Sequence, residues 1–217
     1  MELGDLLRFT HCGKTVFTLA DAAGMWCPVC GQKVRFALSD APVRIRSPIR
    51  DGHHASCCFL VTSQGGTASL SDFEGTSDLH TGISSTSGVV YNYTERGVSR
   101  DVSGWQHCVS IPLVRPDRFH LLAQWDQYLD RFSDVPLWDP TWHSFDEDNH
   151  NCFSFCLQFI NSVLSVEGRP PLTRETFTRT FILPRMARVS KYMTLCRHIE
   201  KEYFYVVNRQ AEGQDEA

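Results

Sequence analysis

Two groups of cysteine and histidine residues in this 217-residue chain have types and spacings that can do chemistry. The first surrounds Cys27-Pro28-Val29-Cys30-Gly31. Two thiolates at C-x2-C spacing take two corners of the tetrahedron that Zn2+ prefers, and the following glycine allows the left-handed backbone of the turn. His53 and Cys57, at H-x3-C spacing, are the expected other two corners, and Cys12 or His11 can replace one of them. A segment of about 60 residues builds little core, so a structural Zn would add folding energy. The competing reading is a set of free thiols on a small β module, because a second C-x2-C is absent.

The second group is centred on Asp148-Asn149-His150-Asn151-Cys152. It leads into an apolar stripe of Cys152, Phe155, Cys156, Phe159, Ile160, Val163 and Leu164 at helical spacing. A thiol at a helix N-terminus feels partial positive charge, which favours the thiolate. Asn149 or Asn151 caps that helix. A thiolate nucleophile needs a base. His80 lies in Asp78-Leu79-His80-Thr81-Gly82-Ile83, an apparent strand whose alternation puts His80 and Gly82 on one face. Asn92, on the next strand, can orient the imidazole as the third member of a triad does. The competing reading makes Cys152 and His80 ordinary packing residues.

Elements must position these groups. Apolar periodicity predicts helices over 119–132, 152–166 and 185–202, with Gly168 and Pro170-Pro171 closing the second. Strands are expected at 78–83, 88–93, 108–113 and 204–207, with Ser84 to Gly88 as a hairpin loop. Ser63 to Ser69 reads as a linker or long turn. Early strands followed by later helices make the chain α+β. The expected organisation is a cysteine/histidine-rich module at 1–62, a larger domain at 72–208 and a disordered tail at 209–217. Trp138 and Trp142 flank a loop before Cys152 and are expected to pin it to the core, with a cover over the cleft as the alternative.

Composition sets the bounds. Hydrophobic residues are 42% and charged residues 21%, as in ordinary globular domains, so a core is affordable. A formal net charge of −4 gives no global reason to bind nucleic acid. No run reaches a bilayer-spanning length, and the acidic start has no signal-peptide core. A cytoplasmic or nuclear location follows, where nine cysteines read as ligands, core residues or a nucleophile before disulfides. Gly13-Lys14-Thr15 is no phosphate loop, because Arg8 stands where the motif needs glycine. Arg44, Arg46 and Arg50 form a small basic strip near the module.

The order of strand with His80-x-Gly82-Ile83, hairpin, strand with Asn92, helix, then Asn151-Cys152 at a helix head resembles the circularly permuted papain-like group. That group includes lecithin-retinol-acyltransferase-like proteins, NlpC-type peptidases and PPPDE peptidases. The resemblance implies a papain-like domain with an antiparallel sheet packed on helices, behind a small N-terminal zinc-knuckle-like β module. It departs at Asn92, where acyltransferase-like members often carry a second His. A longer resemblance covers nearly the whole chain. His11-Cys12, Cys27-Pro28-x-Cys30, Ser77 to Ile83, Gly88 to Tyr93 and Glu147 to Cys152 are similar to the makorin-2 opposite-strand protein family. That family's name records a gene's position and implies no chemistry.

Two functions are expected from these readings. One is a thiol hydrolase cleaving or transferring an amide, isopeptide or acyl-ester group, with Cys152, His80 and Asn92 as its residues. Its partner is a protein or acyl substrate. The other is a catalytically inactive papain-like scaffold that acts as a protein-interaction module.

Overall fold

The computed structural model describes residues 4–20, 26–35, 41–63 and 78–208. The expected linker after Ser63 and the tail at 209–217 lie outside the described residues. The chain divides into two compact units, residues 1–47 with 191–217, and residues 48–190. Helices and antiparallel sheets make it α+β. The division departs from the expected 1–62 and 72–208 at both ends, for a reason visible in the strands.

In the first unit, β1 (Leu6–His11) and β2 (Lys14–Leu19) form a hairpin whose last rung is His11↔Lys14. Its two loop residues, Cys12 and Gly13, both have positive φ, at 48° and 70°. Such a loop matches the twist of the strands it joins. β3 (Val43–Ile45) pairs with β1. On the far side of β2 lies β10 (Tyr205–Asn208), so the chain's last strand completes the first unit's sheet, in the order β10-β2-β1-β3. Phe9, Val16, Cys27 and Val34 form its core, with Val206 and Phe204 packed against them. The 204–207 strand belongs here because its apolar residues cover that core.

The second unit is built on a six-stranded antiparallel sheet. Its strands are β4 (Ile49–Arg50), β5 (Cys58–Ser63), β6 (Leu79–Ser84), β7 (Val90–Thr94), β8 (Gly97–Asp101) and β9 (Cys108–Pro112), in the order β4-β9-β5-β6-β7-β8. β5 is buried along its whole length. A continuous apolar and β-branched run of this kind needs cover on both faces, so it sits inside the sheet and not in the N-terminal module. One face carries Leu60, Val90, Trp105 and Cys108. The other takes helices α1 (Phe119–Ser133) and α2 (Cys152–Val166). Trp125 Nε1 on α1 donates to the Ser84 carbonyl at 2.9 Å, and the Trp125 ring meets Phe159 of α2 edge-on at 5.0 Å. The helix α3 (Arg174–Phe177) runs through a π-helical turn at Thr178–Ile182 into α4 (Leu183–Glu202). Trp138 is 2% exposed and stacks on His150, whereas Trp142 is 75% exposed, so one tryptophan pins the loop and the other does not.

Candidate functional site

The structure brings Cys152, His80 and Asn92 together. Cys152 is the first residue of α2. Asn151 caps the helix, its side chain accepting from Ser154 N at 3.0 Å while Ser154 Oγ accepts from Asn151 N at 2.8 Å. Asn149 does not cap; its N–H goes to Asp146. The Cys152 thiol is close enough to His80 and Thr81 for both to act on its ionisation. The imidazole Nε2 of His80 meets Asn92 Oδ1 at 2.9 Å, so the Nδ1 edge is the one left for the sulfur.

Strand register explains the meeting. Gly82 pairs with Asn92, so their Cα atoms share a rung and Asn92 leans diagonally toward His80. The β6–β7 ladder ends at that rung, which leaves His80 beyond it and beside the head of α2. Gly82 is required: a Cβ there would stand 2.8 Å from Val90 Cγ1, 2.9 Å from Trp105 Cη2 and 3.0 Å from Tyr91 O. Asn92 is 2% exposed and is itself held, with Nδ2 donating to Asp101 Oδ2 at 2.7 Å. The same oxygen accepts from Trp105 Nε1 at 3.0 Å, and the Trp105 ring lies 5.6 Å from His80. Asp101 and Trp105 had no signal in the sequence, because only the pairing of β7 with β8 and the loop that follows β8 bring them behind Asn92.

The electrostatics favour an ion pair. Burial alone would raise the Cys152 thiol, but hydrogen bonds from His80 and Thr81 and the charge of His80 bring it below its ordinary value. Burial alone would lower His80, yet hydrogen bonds with Cys152 and Asn92 and the negative charges of Cys152 and Asp101 raise it. Cys156, one turn on, is fully buried beside Thr81 and pushed well up by burial. A groove of about 570 Å³ opens on His80 and Asn92, lined also by Glu95, Arg96, Phe145 and Glu147.

A second cluster lies in the first unit. His11, Cys12, Cys27 and Cys30 each present one donor atom within 4.8 Å of the others. His11 Nδ1 stands 3.0 Å from Cys12 Sγ and 3.4 Å from Cys30 Sγ, and Cys12 Sγ lies 3.6 Å from Cys27 Sγ. Donors about 2.3 Å from a tetrahedral ion are about 3.8 Å apart, close to this spacing. Two turns build it: the Cys12-Gly13 hairpin loop, and the Cys27–Gly31 turn with Gly31 N on Cys27 O at 2.8 Å and φ +68°. Burial raises Cys27, but the N–H groups of Cys30 and Val29 bring it down to about 7. Cys12 is pushed up to about 12, first by Cys30, because crowded sulfurs cannot all ionise without a cation. This cluster can hold a metal.

The expected partners His53 and Cys57 are not in it. Both belong to the second unit. His53 Nδ1 is engaged by the Gly88 carbonyl at 2.8 Å, and burial pushes the Cys57 thiol up to about 12. The knuckle instead takes His11 and Cys12, which the hairpin loop brings beside it. Arg44 of the basic strip pairs with Asp5 at 2.7 Å.

The DUF4796 C-terminal family model matches residues 42–199. MKRN2 opposite strand protein of Homo sapiens is 42% identical over 204 residues, covering 94% of this chain and 89% of the relative. The chain belongs to the MKRN2 opposite-strand protein family. No solved structure matches it. The stretch matched by the DUF4796 C-terminal model carries His80, Asn92 and Cys152, whereas the cluster of His11, Cys12, Cys27 and Cys30 precedes it. Among the described residues of this family member, no helix is long and apolar enough to cross a membrane.

Proposed function

We propose that the second unit is a papain-like thiol hydrolase acting on an amide, isopeptide or acyl-ester bond. One observation carries the reading: a thiol at a helix head, lowered by a neighbouring imidazole whose Nε2 is held by Asn92. Cys152 Sγ attacks the carbonyl carbon as its proton passes to His80. The oxyanion forms near the Cys152 and Phe153 N–H groups, which have no helical acceptor one turn back. The C–N or C–O bond then breaks, and His80 returns the proton to the leaving amine or alcohol. Water, deprotonated by His80, cleaves the thioester and frees Cys152. Asn92 positions the ring, and Asp101 positions Asn92.

An electrophilic thiol probe tests this. Read by peptide mapping, the label should fall on Cys152 in the parent chain and in Cys156→Ser, and the total should drop by that one site in Cys152→Ser; an undiminished total in Cys152→Ser would overturn it. The inactive-scaffold reading draws on a different observation, that Cys152 is only 9% exposed. Probe-resistant Cys152 in a folded chain would favour it.

The first unit's cluster is read as a structural Zn site held by His11, Cys12, Cys27 and Cys30. Four N/S donors at a closed tetrahedral spacing support a structural role, because a catalytic zinc keeps one position open. Native mass spectrometry should find one zinc per chain, lost on chelation.

A further inference from the structure

A third region of the molecule is used by neither site. At the far end of α2, a cavity of about 610 Å³ lies between the start of α1, the last turns of α2 and the junction of α3 with α4. Leu164 on its wall is twelve residues beyond Cys152, or about 18 Å along the helix, too far for a ligand here to be the thiol's substrate. The apolar wall includes Leu121, Ile160, Leu164, Phe177 and Phe181. Cavities of about 300–1,000 Å³ suit small organic ligands.

Its polar side is cationic. Arg115, Arg118 and Arg169 line the cavity against Glu167 and Asp117. Arg118 and Arg169 share one carboxylate, Glu167, at 2.6 and 3.7 Å. Arg115 has no side-chain partner among the described residues. The helix α1 starts at this wall with Arg118 in the cap position, no side-chain cap and no acid in its first turn. Its first N–H groups therefore add positive potential where the guanidiniums already stand. The opposite wall is the π-helical turn, in which Leu183 N–H reaches back to the Thr178 carbonyl. That widened turn carries Phe181, which is 38% exposed. Such turns give up hydrogen-bond geometry and recur at functional sites.

We propose that this cavity binds a single-chain amphipathic anion, an acyl chain ending in a carboxylate. The chain lies along Leu121, Ile160, Leu164 and Phe181, and the head group meets Arg115. A bare inorganic anion leaves the apolar wall uncovered, and a neutral chain leaves Arg115 unmatched.

Calorimetric titration of the full chain with decanoate, kept below its micellar range, tests the proposal. One saturable site is expected, with affinity at least tenfold weaker in Arg115→Glu and in Phe181→Glu. Both positions are partly or fully exposed, and circular dichroism reports whether each variant is folded. Decanol and inorganic phosphate, titrated alone, should bind at least tenfold more weakly than decanoate. Absence of saturable decanoate binding would overturn the proposal. So would unchanged affinity in either folded variant, decanol matching decanoate, or phosphate matching it.

Discussion

The two cysteine sites use the same side chains in opposite surroundings. Around Cys27, three sulfurs and an imidazole crowd into one small volume, and Cys12 and Cys30 are exposed. Around Cys152, one sulfur meets one imidazole within a largely buried setting, and the next cysteine is fully buried beside Thr81. Crowded thiols raise one another and call for a cation. The lone Cys152 thiol is lowered by its histidine without one. Cys57, Cys58 and Cys108 form a third condition: burial pushes their thiols up to about 12, 11 and 12, which leaves them as packing residues. The environment of each sulfur, not the number of sulfurs, separates a candidate ligand, a candidate nucleophile and a core residue.

The largest expected effect concerns the metal. Structural zinc contributes on the order of 10 kcal/mol of folding free energy in small modules. If the proposed zinc is bound, Cys27→Ser or chelation should release it and abolish amide protection across residues 4–20 and 26–35 in hydrogen exchange. The contrast fails if protection survives metal removal. Next comes the ion pair. Because the folded Cys152 value is lowered, its alkylation by iodoacetamide should rise with pH through an inflection below the ordinary 9.0. Removing the imidazole leaves burial dominant, so His80→Ala should move that inflection upward and leave alkylation at neutral pH at least tenfold slower. Cys12 should not follow His80→Ala.

A smaller effect is expected at Gly82. Gly82→Ala forces a methyl against Val90, Trp105 and the Tyr91 carbonyl, at a cost of about 1–3 kcal/mol. Thermal unfolding should register the loss, and Cys152 reactivity should fall as His80 and Asn92 shift. Smallest is Asn151→Ala, which removes the α2 cap for about 1 kcal/mol. A fall in midpoint with unchanged Cys27 reactivity would sharpen the contrast between the regions.

Much of this was legible from residue pattern. The stripe from Cys152 to Leu164 marks α2 because 3.6-residue spacing survives any tertiary arrangement, and the stripe in 119–132 marks α1 likewise. His80 and Gly82 share a face by strand alternation alone. The Cys27–Gly31 turn is equally local. Other parts were not legible. β5 has no alternation, since both its faces are buried, and its place between β6 and β9 depends on strands far away in sequence. β10 closes a sheet whose neighbouring strand ends almost 190 residues earlier. The ligand set shows the same limit: H-x3-C spacing at His53 and Cys57 looked adequate, but those side chains are held by Gly88 and by burial.

Sequence alone determined which short segments are helices, strands and tight turns, and which residue types stand at their ends, because those properties depend on neighbours a few positions apart. Tertiary structure decided which ends meet. Strand register set Asn92 against His80 and Asp101 behind it, and the hairpin loop set His11 and Cys12 beside Cys27. A β6–β7 pairing shifted by one residue would turn Asn92 to the face opposite His80, and no local pattern records that choice.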